Sequence, residues 1–290
     1  MKSNRGLTVR RMVELGGVSR ASFYRFDEDG PTGVDRDMDL RDAIQRIALK
    51  WPCYGRPRIT AELKRQGWNV GPNRVRRLMR EDNLLCVRKR KFVVTTDSNH
   101  SLKVYPNLAS ELDVDGINQL WVADITYIRL ETEFVYLAVV LDAFSRRVIG
   151  WALDRTLEDD LPLQALRTAL EMRRPTSGLV HHSDRGSQYA SNDYTDLLKD
   201  HGCRISMSHK ASPWENGGCE SWMKTLKYEE VFRQEYRDLG EARTCLERFI
   251  DKVYNQQRLH SALGYRPPAE FEQALLTQKH AGGGGCQSSL

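Results

Sequence analysis

Apolar positions in the first third of the chain recur at helical spacing. Within residues 7–26, Val9, Met12, Val13 and Leu15 give one helix an apolar side, Gly16-Gly17 breaks it, and Ser19 stands where a second helix would take its N-cap. The second helix carries Arg20, Ser22, Tyr24 and Arg25. This outlines a helix-turn-helix whose second member enters a major groove; a plain helical hairpin is the alternative. Residues 27–39 are acidic, contain Gly and Pro, and read as a linker. The theme then repeats. Leu40, Ala43, Ile44, Ile47 and Ala48 predict a helix over 40–50; Arg58–Gln66 predicts a second, ended by Gly67; Pro72 suits the first position of a third, with Val75, Leu78 and Met79 inward.

After residue 116 the periodicity changes. Residues 121–130 (WVADITYIRL) and 134–144 (FVYLAVVLDAF) are β-rich runs with a short polar gap, which predicts a hairpin, and 146–153 reads as a third strand. Helices are expected over 161–173, 192–201 and 215–230, and short strands over 178–183 and 204–208. The order βββαβαβα predicts an α/β fold with a mixed sheet. The expected division is a helix-turn-helix-like module with its acidic linker (1–39), a second helical DNA-binding module (40–92), a linker (93–115), the α/β core (116–278) and a flexible Gly-rich tail (279–290).

Charge sharpens this division. The chain of 290 residues has a net charge of +5, but residues 1–110 carry +11 and the remainder −6. A basic third joined to a mildly acidic remainder points to a polyanion-binding module tied to a separate activity. No long basic amphipathic helix with apolar anchors is present, so nucleic acid is favoured over an acidic membrane. Arg74, Arg76, Arg77 and Arg80 spread over one predicted helix, where their planar forks suit phosphate and guanine; a solvated charged face is the alternative. Arg88, Lys89, Arg90 and Lys91 form a basic run suited to phosphate backbone, or a solvated linker. The six cysteines form no CxxC pair, which argues for reduced thiols and against a zinc finger. No apolar run is long enough to span a membrane, and the basic N-terminus lacks the apolar stretch of a signal peptide.

Three carboxylates stand out by placement. Asp124 lies in the middle of a predicted strand, where a buried acid is costly unless paired or metal-bound. Asp184 follows a predicted strand directly, at the end of an α/β sheet where ligands bind. Glu220 lies on a predicted helix, separated from Asp184 by 35 residues. Acids from two strands and a helix can converge. Their mutual repulsion then calls for a hard divalent ion such as Mg²⁺, and two such ions can clamp the attacking and leaving oxygens of a phosphoryl transfer. Solvated or ion-paired carboxylates are the alternative.

These acids sit in longer motifs: WVADITYI (121–128), LDAFSRRVIGW (141–151), HHSDRGSQYAS (181–191), SPWENGGCESWMKTLKYE (212–229) and YNQQRLHSALGYRPPAEFE (254–272). Together they resemble the catalytic, downstream protein of the IS3 family of bacterial insertion sequences, within the DDE transposases and retroviral-type integrases. The resemblance covers nearly the whole chain. It implies an RNase H-like core with helices on both faces of its sheet, preceded by small all-α helix-turn-helix-like modules. It maps the family's acidic triad onto Asp124, Asp184 and Glu220, as catalytic residues and as ligands of two Mg²⁺ ions, with Mn²⁺ a substitute. It further implies strand cleavage and 3′-hydroxyl strand transfer on double-stranded DNA, a homo-oligomer on DNA, a cytoplasmic, nucleoid-associated location, and an upstream-frame protein or frameshift fusion as partner. The sequence departs from the family at Glu215-Asn216-Gly217, where Asp-Asn-Ala is common, and at Trp222-Met223, where an aromatic pair is usual. Gly217 and Gly218 would cost roughly 1–2 kcal/mol in a helix interior; a later helix start would place Glu220 in the first turn, favoured by the dipole.

Around the triad, Lys224 and Lys227 share the helix face of Glu220 and read as phosphate contacts, with ion pairing to Glu220 or Glu230 the alternative. Arg185 is expected at the DNA-facing rim and Asn216 near Glu220, touching substrate or not. Asp142 is either a support for Asp124 or a turn cap. His181 and His182 alternate across their strand and make poor co-ligands. Arg258, His260 and Ser261 either contact DNA or pack on the core. A metal nuclease without strand transfer and a non-catalytic DNA-binding regulator are the competing functions. Joined DNA products would exclude the first, and an intact triad argues against the second.

Overall fold

The computed structural model describes residues 8–25, 33–84, 103–209 and 212–282. They belong to two units that divide between 84 and 103.

In the N-terminal unit, α1 (Val9–Gly16) ends at Gly17, whose φ of +61° lets its N–H reach back to the Glu14 carbonyl. A second short helix, α2 (Arg20–Arg25), follows. The predicted pair is present, but Met12 and Leu15 on the apolar side of α1 are exposed. Three further helices, α3 (Gly33–Lys50), α4 (Arg56–Arg65) and α5 (Pro72–Glu81), enclose Leu40, Ile44, Ile47, Ile59, Leu63, Val75, Leu78 and Met79. Pro72 opens α5, as its fixed φ and missing N–H favour. The acidic stretch read as a linker to residue 39 is helical from Gly33 onward. The reason is tertiary: buried Asp37 accepts hydrogen bonds from Arg74 Nε and Nη2 and from Arg77 Nη2, so α5 holds the start of α3. These guanidinium groups hold the Asp37 carboxyl below the usual carboxylate range.

The second unit is built on five strands: β1 (Leu120–Arg129), β2 (Phe134–Asp142), β3 (Val148–Asp154), β4 (Val180–Ser183) and β5 (Arg204–Met207), in the order β3-β2-β1-β4-β5. The first three pair antiparallel, and β4 and β5 join parallel. α6 (Asp160–Arg173) and α7 (Asn192–Asp200) cover one face with Trp121, Ala123, Val140 and Ile149 beneath them. On the other face, α8 (Gly217–Glu229) and α9 (Leu239–Glu247) pack over Val122, Ile128, Val135, Val139 and Val148. Strand alternation thus divides the apolar residues between two cores. On the first face the approach is close: a Cβ at Gly150 would stand 2.1 Å from the Ala165 carbonyl oxygen. A π-helical turn (Arg248–Tyr254) continues α9, and α10 (Pro268–Gly282) closes the unit.

Two sequence boundaries move. The described part of the 93–115 linker is held on this unit: Leu108 and Ala109 donate N–H bonds to Ser206 Oγ, and Leu108, Leu112 and Val114 pack on the core. A tail is expected from 279, but α10 runs through Gly282. Residues 283–290 lie outside the described residues.

Candidate active site

Asp124 and Asp184 reach their positions through the parallel β1–β4 ladder. Its pairs, Leu120↔Val180, Trp121↔His181 and Val122↔His182, advance in step. Asp124 and Asp184 each lie two residues beyond the last pair, so they are level on neighbouring segments where β4 ends. Alternation gives Asp124 the parity of Val122, which points it to the α8 face.

Glu220 is brought there by α8. The helix starts at Gly217, two residues later than the spacing predicts, after a 3₁₀ turn over Pro213–Asn216. Glu220 therefore sits in the first turn, with the helix dipole favouring its charge. The two glycines occupy the first two helical positions, where little interior penalty applies. Gly218 also permits close approach: a Cβ there would stand 3.3 Å from Arg146 Nη1 and 3.5 Å from Val122 Cγ2. Asn216 ties this entry to the sheet, its Nδ2 donating to the Ala123 carbonyl at 3.0 Å. The strut joins the residue before Asp124 to the start of the helix that carries Glu220. Asn216 is only 7% exposed and braces the site from within. Its Oδ1 is buried without a hydrogen-bond partner among the described residues.

The electrostatics agree with convergence. Burial first, then the negative charges of Asp184 and Glu220, push the Asp124 carboxyl up to about 7; the Ile125 N–H and the Lys227 ammonium act the other way. Asp184 Oδ1 accepts the Gly186 N–H at 3.0 Å, within its own turn. Lys227 lies over the Tyr127 ring, 4.8 Å from its centroid, and burial lowers its pKa against the opposing charge of Asp124.

The donor set is all carboxylate oxygen, which suits a hard divalent cation, and the repulsion that raises Asp124 is what such a cation relieves. As they stand, no three His, Cys, Asp or Glu side chains among the described residues form a metal cage. Glu220 makes an i,i+4 ion pair with Lys224, 2.8 Å long and half-exposed. An exposed pair of this kind holds weakly, by less than about 1 kcal/mol, and would leave Glu220 available to a cation. The residues present fit the ion.

Other expected residues divide. Arg185 donates Nε to the Ser208 carbonyl at 2.7 Å and remains half-buried at the rim. Arg76 and Arg80 are exposed on α5, whereas Arg74 and Arg77 share Asp37. Arg88, Lys89, Arg90 and Lys91 lie outside the described residues. Arg258 is structural: it is buried and forks onto Glu229 with bonds of 2.8 and 2.7 Å. His181 meets the Tyr194 hydroxyl at 3.1 Å and His182 meets Ser206 Oγ at 2.8 Å. Burial holds both histidines neutral, with pKa values lowered to about 3 and about 4. Sequence reasoning missed the clasp at Glu215, which accepts bonds from Asn107 Nδ2, His209 N–H and His209 Nδ1. Asn107 is 108 positions away from Glu215, so no local pattern signals it.

Comparison with known proteins agrees with this architecture. Models described as integrase core domain match residues 115–213 and 201–268, and one described as HTH-like domain matches 35–92. The Escherichia coli K12 transposase InsF of insertion sequence IS3A is 37% identical over 275 residues, covering 93% of this chain and 95% of the relative. A 31 kDa protein of insertion element IS600 from Shigella sonnei is 36% identical over 266 residues, 90% of this chain and 97% of its own. Among solved structures, a simian T-cell lymphotropic virus intasome aligns with a TM-score of 0.44 at 13% identity, over 79% of this chain and 73% of that one. The BIV integrase catalytic core aligns at 0.38 and 18% identity, over 56% and 99%. The mixed five-stranded sheet with helices on both faces is thus an integrase-type core behind a helix-turn-helix-like region, and the chain belongs to the IS3 family of insertion-sequence transposases.

Proposed function

We propose that this transposase is a DDE-type polynucleotidyl transferase whose catalytic carboxylates are Asp124, Asp184 and Glu220. The observation that supports the reading is the level placement of Asp124 on β1 and Asp184 after β4, with the charges of Asp184 and of Glu220, in the first turn of α8, both raising the Asp124 carboxyl. The substrate is double-stranded DNA at the element's ends, cut at one strand and rejoined through a 3′-hydroxyl.

Asp124 and Asp184 would hold divalent metal, Mg²⁺ or Mn²⁺, and Glu220 would complete the site after leaving Lys224. When bound, the metal polarises the scissile phosphate and stabilises charge on the attacking and leaving oxygens. The chain's own part is placement. Asn216 keeps the α8 entry in register with β1, and Lys227 sets a positive charge beside Asp124 for the DNA backbone. Lys224, once released, and Arg185 extend that positive rim. No side-chain nucleophile is required, so no covalent protein–DNA intermediate forms. In the helix-turn-helix-like region, α5 presents Arg76 and Arg80 to DNA, with Arg74 and Arg77 positioned by Asp37. End recognition is completed by an upstream-frame protein or fusion and by self-association on DNA.

The test is a cleavage-and-joining assay on DNA carrying the element's ends, with Mg²⁺, for wild type and Glu220→Gln, with and without the upstream partner. Metal-dependent joined product that vanishes in the variant supports the reading. Hydrolysis without joining identifies a nuclease. DNA binding without either identifies a regulator.

A further inference from the structure

The part of β1 beyond Asp124 lies outside the ladder with β4, which pairs only Leu120, Trp121 and Val122. At this margin the sheet turns two aromatic rings outward. Phe134, the first residue of β2, is 52% exposed. Tyr127 is half-buried, and its ring meets that of Phe134 edge-on, with centroids 5.7 Å apart and planes at 72°. The register pairs Arg129 with Phe134 and Tyr127 with Tyr136, so Tyr127, Phe134 and exposed Arg129 share one face. Lys227 closes the patch, its ammonium 4.8 Å from the Tyr127 centroid. A single exposed Phe needs no explanation. An aromatic pair flanked by two cations does: alternation sets Tyr127 and Asp124 on opposite faces of β1, but β4 does not cover this edge, and Lys227 both meets the Tyr127 ring and feels the charge of Asp124.

We propose that Tyr127 and Phe134, flanked by Lys227 and Arg129, form a stacking platform for an unpaired nucleobase of the DNA strand beside the scissile phosphate. This rests on the active-site reading above. Three residues of extended chain separate Asp124 from Tyr127, about 10 Å, or about three base steps at ~3.4 Å each. A phosphate that reaches a carboxylate recessed between β1 and α8 must be drawn out of a regular duplex, which leaves neighbouring bases unstacked. Aromatic faces replace lost stacking without regard to sequence, and the flanking cations neutralise the phosphates on either side. This charge pattern fits a nucleic-acid strand better than an apolar protein surface.

The test is photocross-linking of the full-length protein, without added metal, to a 20-mer single-stranded oligonucleotide bearing one 5-iododeoxyuridine, and to the same oligonucleotide in a duplex. Mass spectrometry maps the adducts. The single strand is expected to cross-link to peptides containing Tyr127 or Phe134, and the duplex to the N-terminal helical unit. Phe134→Leu and Tyr127→Leu keep apolar bulk but remove the π face, and each is expected to lower the single-strand adduct at this patch about five-fold or more. Single-strand adducts only elsewhere, or undiminished adducts in both variants with unchanged circular dichroism, would overturn the proposal. So would a wild-type self-association, seen by sedimentation, that Phe134→Leu abolishes. Binding here involves no chemistry, so the outcome is independent of the Glu220→Gln assay, which judges the active site alone.

Discussion

Two aspartates in one register show what separates an acid held by hydrogen bonds from one set against other acids. Asp142 ends β2, opposite Trp121; Asp124 lies three residues further along β1, opposite Val139. Burial raises the carboxyl of each. Asp142 is surrounded by donors: Asn118 N–H, from the segment before β1, at 2.7 Å, and from its own turn Phe144 N–H, Ser145 N–H and Ser145 Oγ at 3.0, 2.9 and 3.2 Å. Asp124 has the N–H of Ile125, and its other close charges are two acids and Lys227. A carboxylate saturated by hydrogen bonds can anchor a turn. One facing other carboxylates is left with an electrostatic deficit that a cation fills. The difference settles the sequence-level alternative for Asp142 in favour of a turn cap.

The comparison breaks first on activity. Asp124→Asn should lower DNA cleavage and joining by ~10³-fold or more, while its Tm in metal-free buffer stays equal to or above wild type, because the repulsion is gone. A clear loss of Tm would place Asp124 with Asp142 as a structural acid. Asp142→Ala should do the reverse in kind: it strands several buried donors and should cost about 3 kcal/mol or more in urea unfolding.

Metal and pH sharpen the contrast further. With its folded pKa raised to about 7, Asp124 contributes stability that is fully present below its ordinary carboxylate value and is lost as pH rises through about 7. A divalent ion must displace the proton below that range and relieves bare repulsion above it. The Tm gain on adding MgCl₂ should therefore be several degrees at pH 8 and about half that or less at pH 6; equal gains would show that the ion binds elsewhere. Asp142→Ala should leave the MgCl₂ gain unchanged. The smallest effect belongs to Lys224→Ala. Its ion pair with Glu220 is half-exposed, so urea unfolding should change by less than about 1 kcal/mol. A larger loss would mean that Glu220 is held structurally, as Asp142 is.

Much of this was legible in the chain. The β-rich runs 121–130 and 134–144 predict a hairpin, and β1 and β2 do pair antiparallel there. Gly67, Pro72 and Gly202 mark element ends through backbone conformation alone. Charged residues were less legible where their partners are remote. Nothing local signals that Arg74 and Arg77 meet Asp37, or that the Asn216 amide meets Ala123. The expected helix start at 215 fails for a related reason. Glu215 is occupied by Asn107 and His209, and this clasp holds a 3₁₀ turn ahead of α8.

Local periodicity and short motifs carry the order of elements, the mixed sheet and three acids at family spacing. Which acids face one another and which face donors depends on how distant segments pack. Parallel register sets Asp124 level with Asp184, helix packing brings Glu220 across, and the turn around Asp142 supplies its N–H groups. Those distances follow from how separate segments pack. Since desolvation and Coulomb energies depend on such distances, the chemistry of each carboxylate is a property of the fold.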